Sequence, residues 1–172
     1  LSDIDCSIDC CDLDQSAFSW TGSDTEDPMI AHMVCHFSDA TGAAYNDGWQ
    51  SNDTDGSGFA PWTLSTSGTG GHFVTTSTGN GDGDNNLDGD IDTGGNAWGM
   101  FANSGGVANA VRPFVSPMAP LDSFCIRMDN GFIDGGGTVG FGLQNSSGQN
   151  LLEFFFAGGA NSYTIQDAGG SN

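Results

Sequence analysis

The sequence predicts an all-β protein, an antiparallel β-sandwich with an extended strand segment at its N-terminal end. Three observations carry that reading. The chain of 172 residues holds 28 Gly, and its acidity comes from Asp, with Glu26 and Glu153 the only glutamates. Both Gly and Asp are poor helix formers and good turn formers. Short apolar segments recur at a spacing of roughly eight to fifteen residues, divided by Gly, Asn and Asp clusters, as in sandwiches and barrels. With 37% hydrophobic residues and 12 Phe, the chain is too apolar to stay disordered. Its 17.7 kDa suits a single core.

Residues 1–44 form an acidic, Cys-rich segment, and 45–172 the sandwich. In the first part Ile4, Cys6, Ile8 and Cys10 alternate with Asp5, Ser7, Asp9 and Cys11, the period of a strand with one buried and one acidic face. Asp27-Pro28 suits a helix N-cap followed by Pro at the first helical position. Met29, Met33, Cys35 and Phe37 also fall on one side of an alternating run, so helix and strand both fit 28–38.

From Tyr45 the apolar segments are FAPWTLSTS, GHFVTTS, AWGMFAN, VANAVRPFV, DSFCIRMDN, TVGFGLQNS, NLLEFFFAG and NSYTIQD. Turn signals between them are Gly70-Gly71, Asn103 to Gly106, Asp134 to Gly137 and Asn145 to Gly148. The clearest hairpin pairs Val139, Phe141 and Leu143, alternating with Gly, with a strand from Leu151 to Phe156 that is apolar on both faces. No fixed-length repeat points to a solenoid.

The charge balance narrows the partners. The chain carries 22 acidic side chains against Arg112 and Arg127, with no Lys, for a net charge of -20. Such a field repels phosphate backbones and anionic lipid, which excludes nucleic acid, and it favours divalent cations, calcium first. A chain opening on Leu1, without an apolar run near the roughly 18 residues of a bilayer span, is expected to be a mature secreted protein. Its place is extracellular or on the cell surface, without membrane insertion. The five cysteines, Cys6, Cys10, Cys11, Cys35 and Cys125, lack paired C-x2-C units, so disulfides are expected rather than zinc. Their odd number leaves one thiol free or bonded to another chain.

The stretch GNGDGDNNLDGDIDTG, residues 79–94, is the candidate calcium site. Asn80, Asp82 and Asp84 take positions one, three and five of a calcium loop, with Asn86 at seven, Leu87 at eight and Asp88 at nine. Asn85 stands where Gly is usual, and Ile91 where a bidentate acid is usual, so Asp90 or Asp92 must supply the remaining oxygens. Asp53 to Gly56 and Asp129 to Asp134 are weaker calcium candidates, which ordinary turn chemistry also explains. His32 and His36 could chelate from a helix but lie about 13 Å apart on a strand. Glu153 sits among aromatics without an identifiable partner acid, so no catalytic residue is assigned and no enzyme is expected. Trp49, Trp62 and Trp98 with Asn96 suit carbohydrate stacking, or else anchor the core. Asn52 and Asn145 lie in N-x-S/T sequons.

The run YNDGWQ at Tyr45 to Gln50, then GSGFAPW, IDTGGNAWGMFAN, AVRPF and GFGLQNSSGQNLLEFFF, resembles a Gly/Asp-rich module of bacterial secreted and cell-surface proteins. Over about 45–168 it is similar in pattern to jelly-roll sandwiches of the laminin-G or concanavalin type. The resemblance implies an exported sandwich of jelly-roll type at the cell surface. Such a sandwich carries one or two more strands than these segments supply. The alternating N-terminal segment can fill the gap, in its own chain or in a neighbouring one. The expected function is a calcium-stabilised structural or adhesive subunit that self-assembles into a filament or matrix by strand donation or through sheet edges. The alternative is a carbohydrate-binding module with a polysaccharide partner.

Overall fold

A computed structural model describes residues 37–76, 95–119, 122, 124–168 and 170–171. Within these residues the protein is all-β, built as two antiparallel sheets, with a 3-10 turn at Ala43–Tyr45 ahead of them. β1 (Thr63–Thr76) pairs with β2 (Asn96–Val111) in a two-stranded sheet. β3 (Thr138–Gln144), β4 (Asn150–Ala157), β5 (Thr164–Asp167) and β6 (Gly170–Ser171) form a four-stranded sheet in that order. The predicted class is the observed one, and within each sheet the strands lie in sequence order.

Two expected turns are absent. FAPWTLSTS and GHFVTTS were expected as separate strands, yet both contribute to the single strand β1, just as AWGMFAN and VANAVR contribute to β2. The register shifts between Ser67 and Thr69, where Gly68 has φ 62° and Gly105 has φ 78°. Gly68 and the Asn103 to Gly106 cluster therefore build a bulge, which bends a strand pair without ending it, while Gly70 and Gly71 pair in regular register with Ala102 and Phe101.

Gly71 and Gly99 do a different job. Gly71 pairs with Phe101 and Gly99 with Phe73. A Cβ on Gly71 would stand 2.5 Å from the Phe101 ring, and one on Gly99 2.2 Å from the Phe73 ring. The same Gly-x-Phe triplet on each strand thus interlocks with its copy on the other, each ring covering the bare backbone opposite.

The segment DSFCIRMDN, expected as a strand, is irregular over the described residues from Phe124 onward. It crosses the second sheet. The Phe124 ring lies 6.0 Å from that of Phe141 on β3, and the Tyr163 hydroxyl just before β5 donates to Asn130 Oδ1. A segment running across strands cannot join their ladder, whatever its β propensity.

The β3–β4 hairpin forms as its pattern predicts. Asn145 Oδ1 accepts the backbone N–H groups of Ser147 and Gln149 at 2.9 and 3.0 Å, an Asx-type turn. On one face Val139, Phe141 and Leu143 meet Phe156, Phe154 and Leu152. On the other, Gly140 lies under Phe155, where an added Cβ would come 2.1 Å from the Phe154 carbonyl oxygen and 2.6 Å from Phe155 Cα.

Those two close approaches differ in what can yield. Gly140→Ala meets backbone and should cost about 2–3 kcal/mol, as overpacking does. Gly71→Ala meets the outer edge of the Phe101 ring, which is 47% exposed and can swing away, so under about 1 kcal/mol is expected. Urea unfolding of both variants checks the order, and equal losses would contradict it.

Candidate functional site

The tightest packing lies where the segment before β1 folds against the first sheet. Ala40, Tyr45 and Trp49 are the buried hydrophobic residues of the described chain. Around Trp49 the rings meet mostly edge to face: Trp62 at 5.0 Å, His72 at 5.3 Å and, tilted, Trp98 at 5.9 Å. Trp62 and Trp98 are 5.3 Å apart, and Tyr45 is 5.4 Å from Trp98. Trp62 Nε1 donates to the Tyr45 hydroxyl at 3.2 Å. β1 supplies His72 and β2 supplies Trp98 to this cluster, from the face opposite the Phe–Gly interlock.

The three indoles singled out for carbohydrate stacking are therefore brought together, but as packing for one another. Trp49 is 7% exposed and offers little ring face to a sugar, while Trp62 and Trp98 are half-buried. Asn96 Nδ2 reaches back to the Ala40 carbonyl at 3.5 Å. Trp49 Nε1 and Trp98 Nε1 are buried without a hydrogen-bond acceptor among the described residues.

Sequence reasoning missed the residue that organises this end of the molecule. Arg112, next after β2, donates from Nε to the Ala60 carbonyl at 2.8 Å. One terminal nitrogen donates to Ser38 Oγ, and the other to the Asp55 carbonyl at 2.7 Å and Thr54 Oγ1 at 3.3 Å. Its guanidinium lies 5.0 Å from the Phe59 ring centre and 5.2 Å from that of Trp62. Burial pulls its pKa below the ordinary Arg value, and the nearby Tyr45 hydroxyl and Asp55 carboxylate oppose that shift. The available signal was its rarity: one of two cations in a chain with net charge -20.

From Phe59 a row of rings runs to the second sheet. Phe59 to Phe114 is 5.2 Å, Phe114 to Phe124 5.8 Å and Phe124 to Phe141 6.0 Å. It continues through Phe154 at 5.6 Å to Tyr163, stacked at 4.7 Å. Backbone bonds from Ala60 to Pro113 and from Val115 to Gly58 hold the start of the row.

The acidic groups near Arg112 are turn-forming. A polar depression is lined by Phe37, Asp39, Thr41, Gly42, Asp55 and Gly56. Asp39 Oδ1 accepts from the Thr41 backbone at 2.7 Å, Asp55 Oδ1 from Gly56 N–H at 2.6 Å, and Asp53 Oδ2 from Gln50 N–H at 2.7 Å. Among the described residues no group of three or more His, Cys, Asp or Glu is placed to hold a metal. Glu153, half-buried on β4, accepts from Asn150 Nδ2 at 2.6 Å. Cys125 is disulfide-bonded.

The calcium-loop residues Asn80, Asp82, Asp84, Asp88, Asp90 and Asp92 lie outside the described residues. So do Ile4, Cys6, Ile8, Cys10, Cys11, His32, Cys35 and His36. Among the described residues no helix is long and apolar enough to cross a membrane. No family model, curated protein or solved structure matches the chain, so a function must be argued from its own residues.

Proposed function

We propose that the protein is an extracellular, calcium-stabilised structural or adhesive subunit that assembles with copies of itself through sheet edges. The observation that supports this reading most is the state of the first sheet. β1 and β2, 14 and 16 residues long, have only each other as strand partners among the described residues. A two-stranded sheet is marginal alone. Phe73, Met100, Phe101, Val107 and Val111 on it are 41 to 47% exposed. Edge strands are normally guarded by Lys, Pro, inward charge or a bulge; the sequences of β1 and β2 contain no Lys, Pro or charged residue, and what covers them is the bulge at Gly68 and the bonds of Ser51 and Asn52 at the start of β1. Long edges free of Lys, Pro and charge beside apolar side chains are a template for pairing with another copy.

Calcium enters through the charge. A subunit at -20 repels its copies, and bound divalent cations or salt relieve that repulsion. Calcium at about 100 times its dissociation constant should stabilise the fold by about 2.7 kcal/mol, or roughly 5–10 °C in Tm for a domain of this size. Magnesium at equal ionic strength should do less. A melting curve that answers only to ionic strength removes the calcium part of the proposal.

Sedimentation velocity tests assembly itself. Species larger than the monomer should grow with protein concentration and with calcium. A single monomer boundary under every condition defeats the reading.

A further inference from the structure

Cys125 is disulfide-bonded and solvent-exposed. It is the one cysteine among the described residues, so its partner within the chain is Cys6, Cys10, Cys11 or Cys35. What distinguishes these four is how the first described residue, Phe37, is held. The Phe37 carbonyl accepts the Ser57 N–H at 2.8 Å, and one residue further on the Gly58 carbonyl accepts the Val115 N–H at 3.0 Å. Phe114, just before Val115, has its ring 5.8 Å from that of Phe124, and Phe124 precedes Cys125. Two backbone hydrogen bonds and one ring contact thus lead from Phe37 to Cys125. Hydrogen-bonded extended segments lie about 4.8 Å apart, so the two backbone steps span about 10 Å.

Phe37 and its neighbour are pinned there by more than one bond. Ser38 Oγ donates to the Asp55 carbonyl at 3.1 Å and accepts from Arg112. The backbone at Gly56 comes so close that an added Cβ would stand 2.1 Å from the Phe37 carbonyl oxygen. Cys35 is two residues from this anchor, within about 7 Å of it even on an extended chain. Cys11 is 26 residues from it, and Cys10 and Cys6 are farther. The chance that a tethered group meets a fixed point falls roughly as the 3/2 power of tether length, which favours Cys35 over Cys11 by about 50-fold.

We propose that the partner of Cys125 is Cys35 of the same chain. Each thiol gives up one proton and one electron as the S–S bond forms, and an external disulfide takes up both pairs and leaves as a dithiol. The bond ties the site where Arg112 gathers Ser38 and Asp55 to the segment whose Phe124 rests on Phe141 of β3. A covalent link is thereby added to the row of rings between the two sheets. The bonded residues are 90 positions apart, and a cross-link that closes so long a loop restricts the unfolded chain strongly. Cys6, Cys10 and Cys11 are then left over, an odd number, so a thiol remaining for another chain is one of these three. The Cys35–Cys125 bond itself lies within one chain and is independent of assembly.

Peptide mapping of the full-length protein without reductant, by mass spectrometry on the monomer fraction, tests this. The peptide that holds Cys35 should be found joined to the one that holds Cys125. A variant with Cys6→Ser, Cys10→Ser and Cys11→Ser together leaves only these two cysteines, so no other pairing within the chain can replace theirs. In it neither thiol should react with an alkylating reagent before reduction. Adding Cys35→Ser to that variant should make Cys125 react at least tenfold faster and lower Tm by roughly 5–15 °C. Cys125 joined to Cys6, Cys10 or Cys11 in the wild-type monomer would overturn the proposal, and so would ready alkylation of Cys125 in the folded triple variant. The wild-type map decides even where a variant fails to fold.

Discussion

Replacing Trp49 with Ala is expected to destabilise the fold by about 4 kcal/mol, the range for deleting a buried indole. Trp49 is 7% exposed and touches the rings of Trp62, His72 and Trp98. It joins the segment before β1 to both strands of the first sheet. Its removal opens a cavity that rings held by separate elements cannot close together. Trp49→Phe should cost far less. It keeps most of the apolar contact and deletes an indole N–H that is buried without an acceptor, a group whose desolvation alone costs about 1–3 kcal/mol. Urea unfolding with an unchanged m-value measures both losses. Similar losses for Ala and Phe would mean that the indole N–H matters more than the packing.

Arg112→Ala should lose about 3 kcal/mol, and Arg112→Lys about 2 kcal/mol, since hydrogen bonds to a charged group contribute more than neutral ones. The guanidinium ties Ser38, Thr54, Asp55 and Ala60 to the end of β2 while lying over Phe59 and Trp62. Lysine offers a point charge where the site needs a planar fork that donates in several directions and stacks on two rings. Near neutral pH no titration of Arg112 should be seen in stability. Burial lowers its pKa, so the cost of carrying the charge applies in full below the folded pKa. It is relieved only as pH rises through that value, in the strongly alkaline range. A lysine variant as stable as the wild type would show that charge alone suffices.

The class of the fold was legible because Gly, Asp and short apolar segments leave little scope for helices, and the β3–β4 hairpin because its turn and alternation agree. Gly70-Gly71 and Asn103 to Gly106 misled because a Gly cluster reads the same in a turn and in a bulge. Gly70-Gly71 continues the ladder with the Phe101 ring over Gly71, and Asn103 to Gly106 lies in the bulge opposite Gly68; only the cross-strand register tells these from turns. Residues 124–133 have strand-like composition, yet their neighbours in space place them across a sheet. The indoles were legible as a group, but not the choice between stacking on a sugar and anchoring the core, since both need the same residue. Arg112 was hidden because its acceptors are mostly carbonyls and hydroxyls far along the chain, which no spacing rule marks.

These residues describe a small, ring-packed sandwich whose first sheet has long edges without Lys, Pro or charge. The proposal built on it is that those edges join copies of the chain. Negative-stain electron microscopy of the full-length protein in calcium tests that most directly. Ordered fibres or sheets that lengthen with concentration are the predicted result. Dispersed single particles at every concentration, with or without calcium, would contradict it.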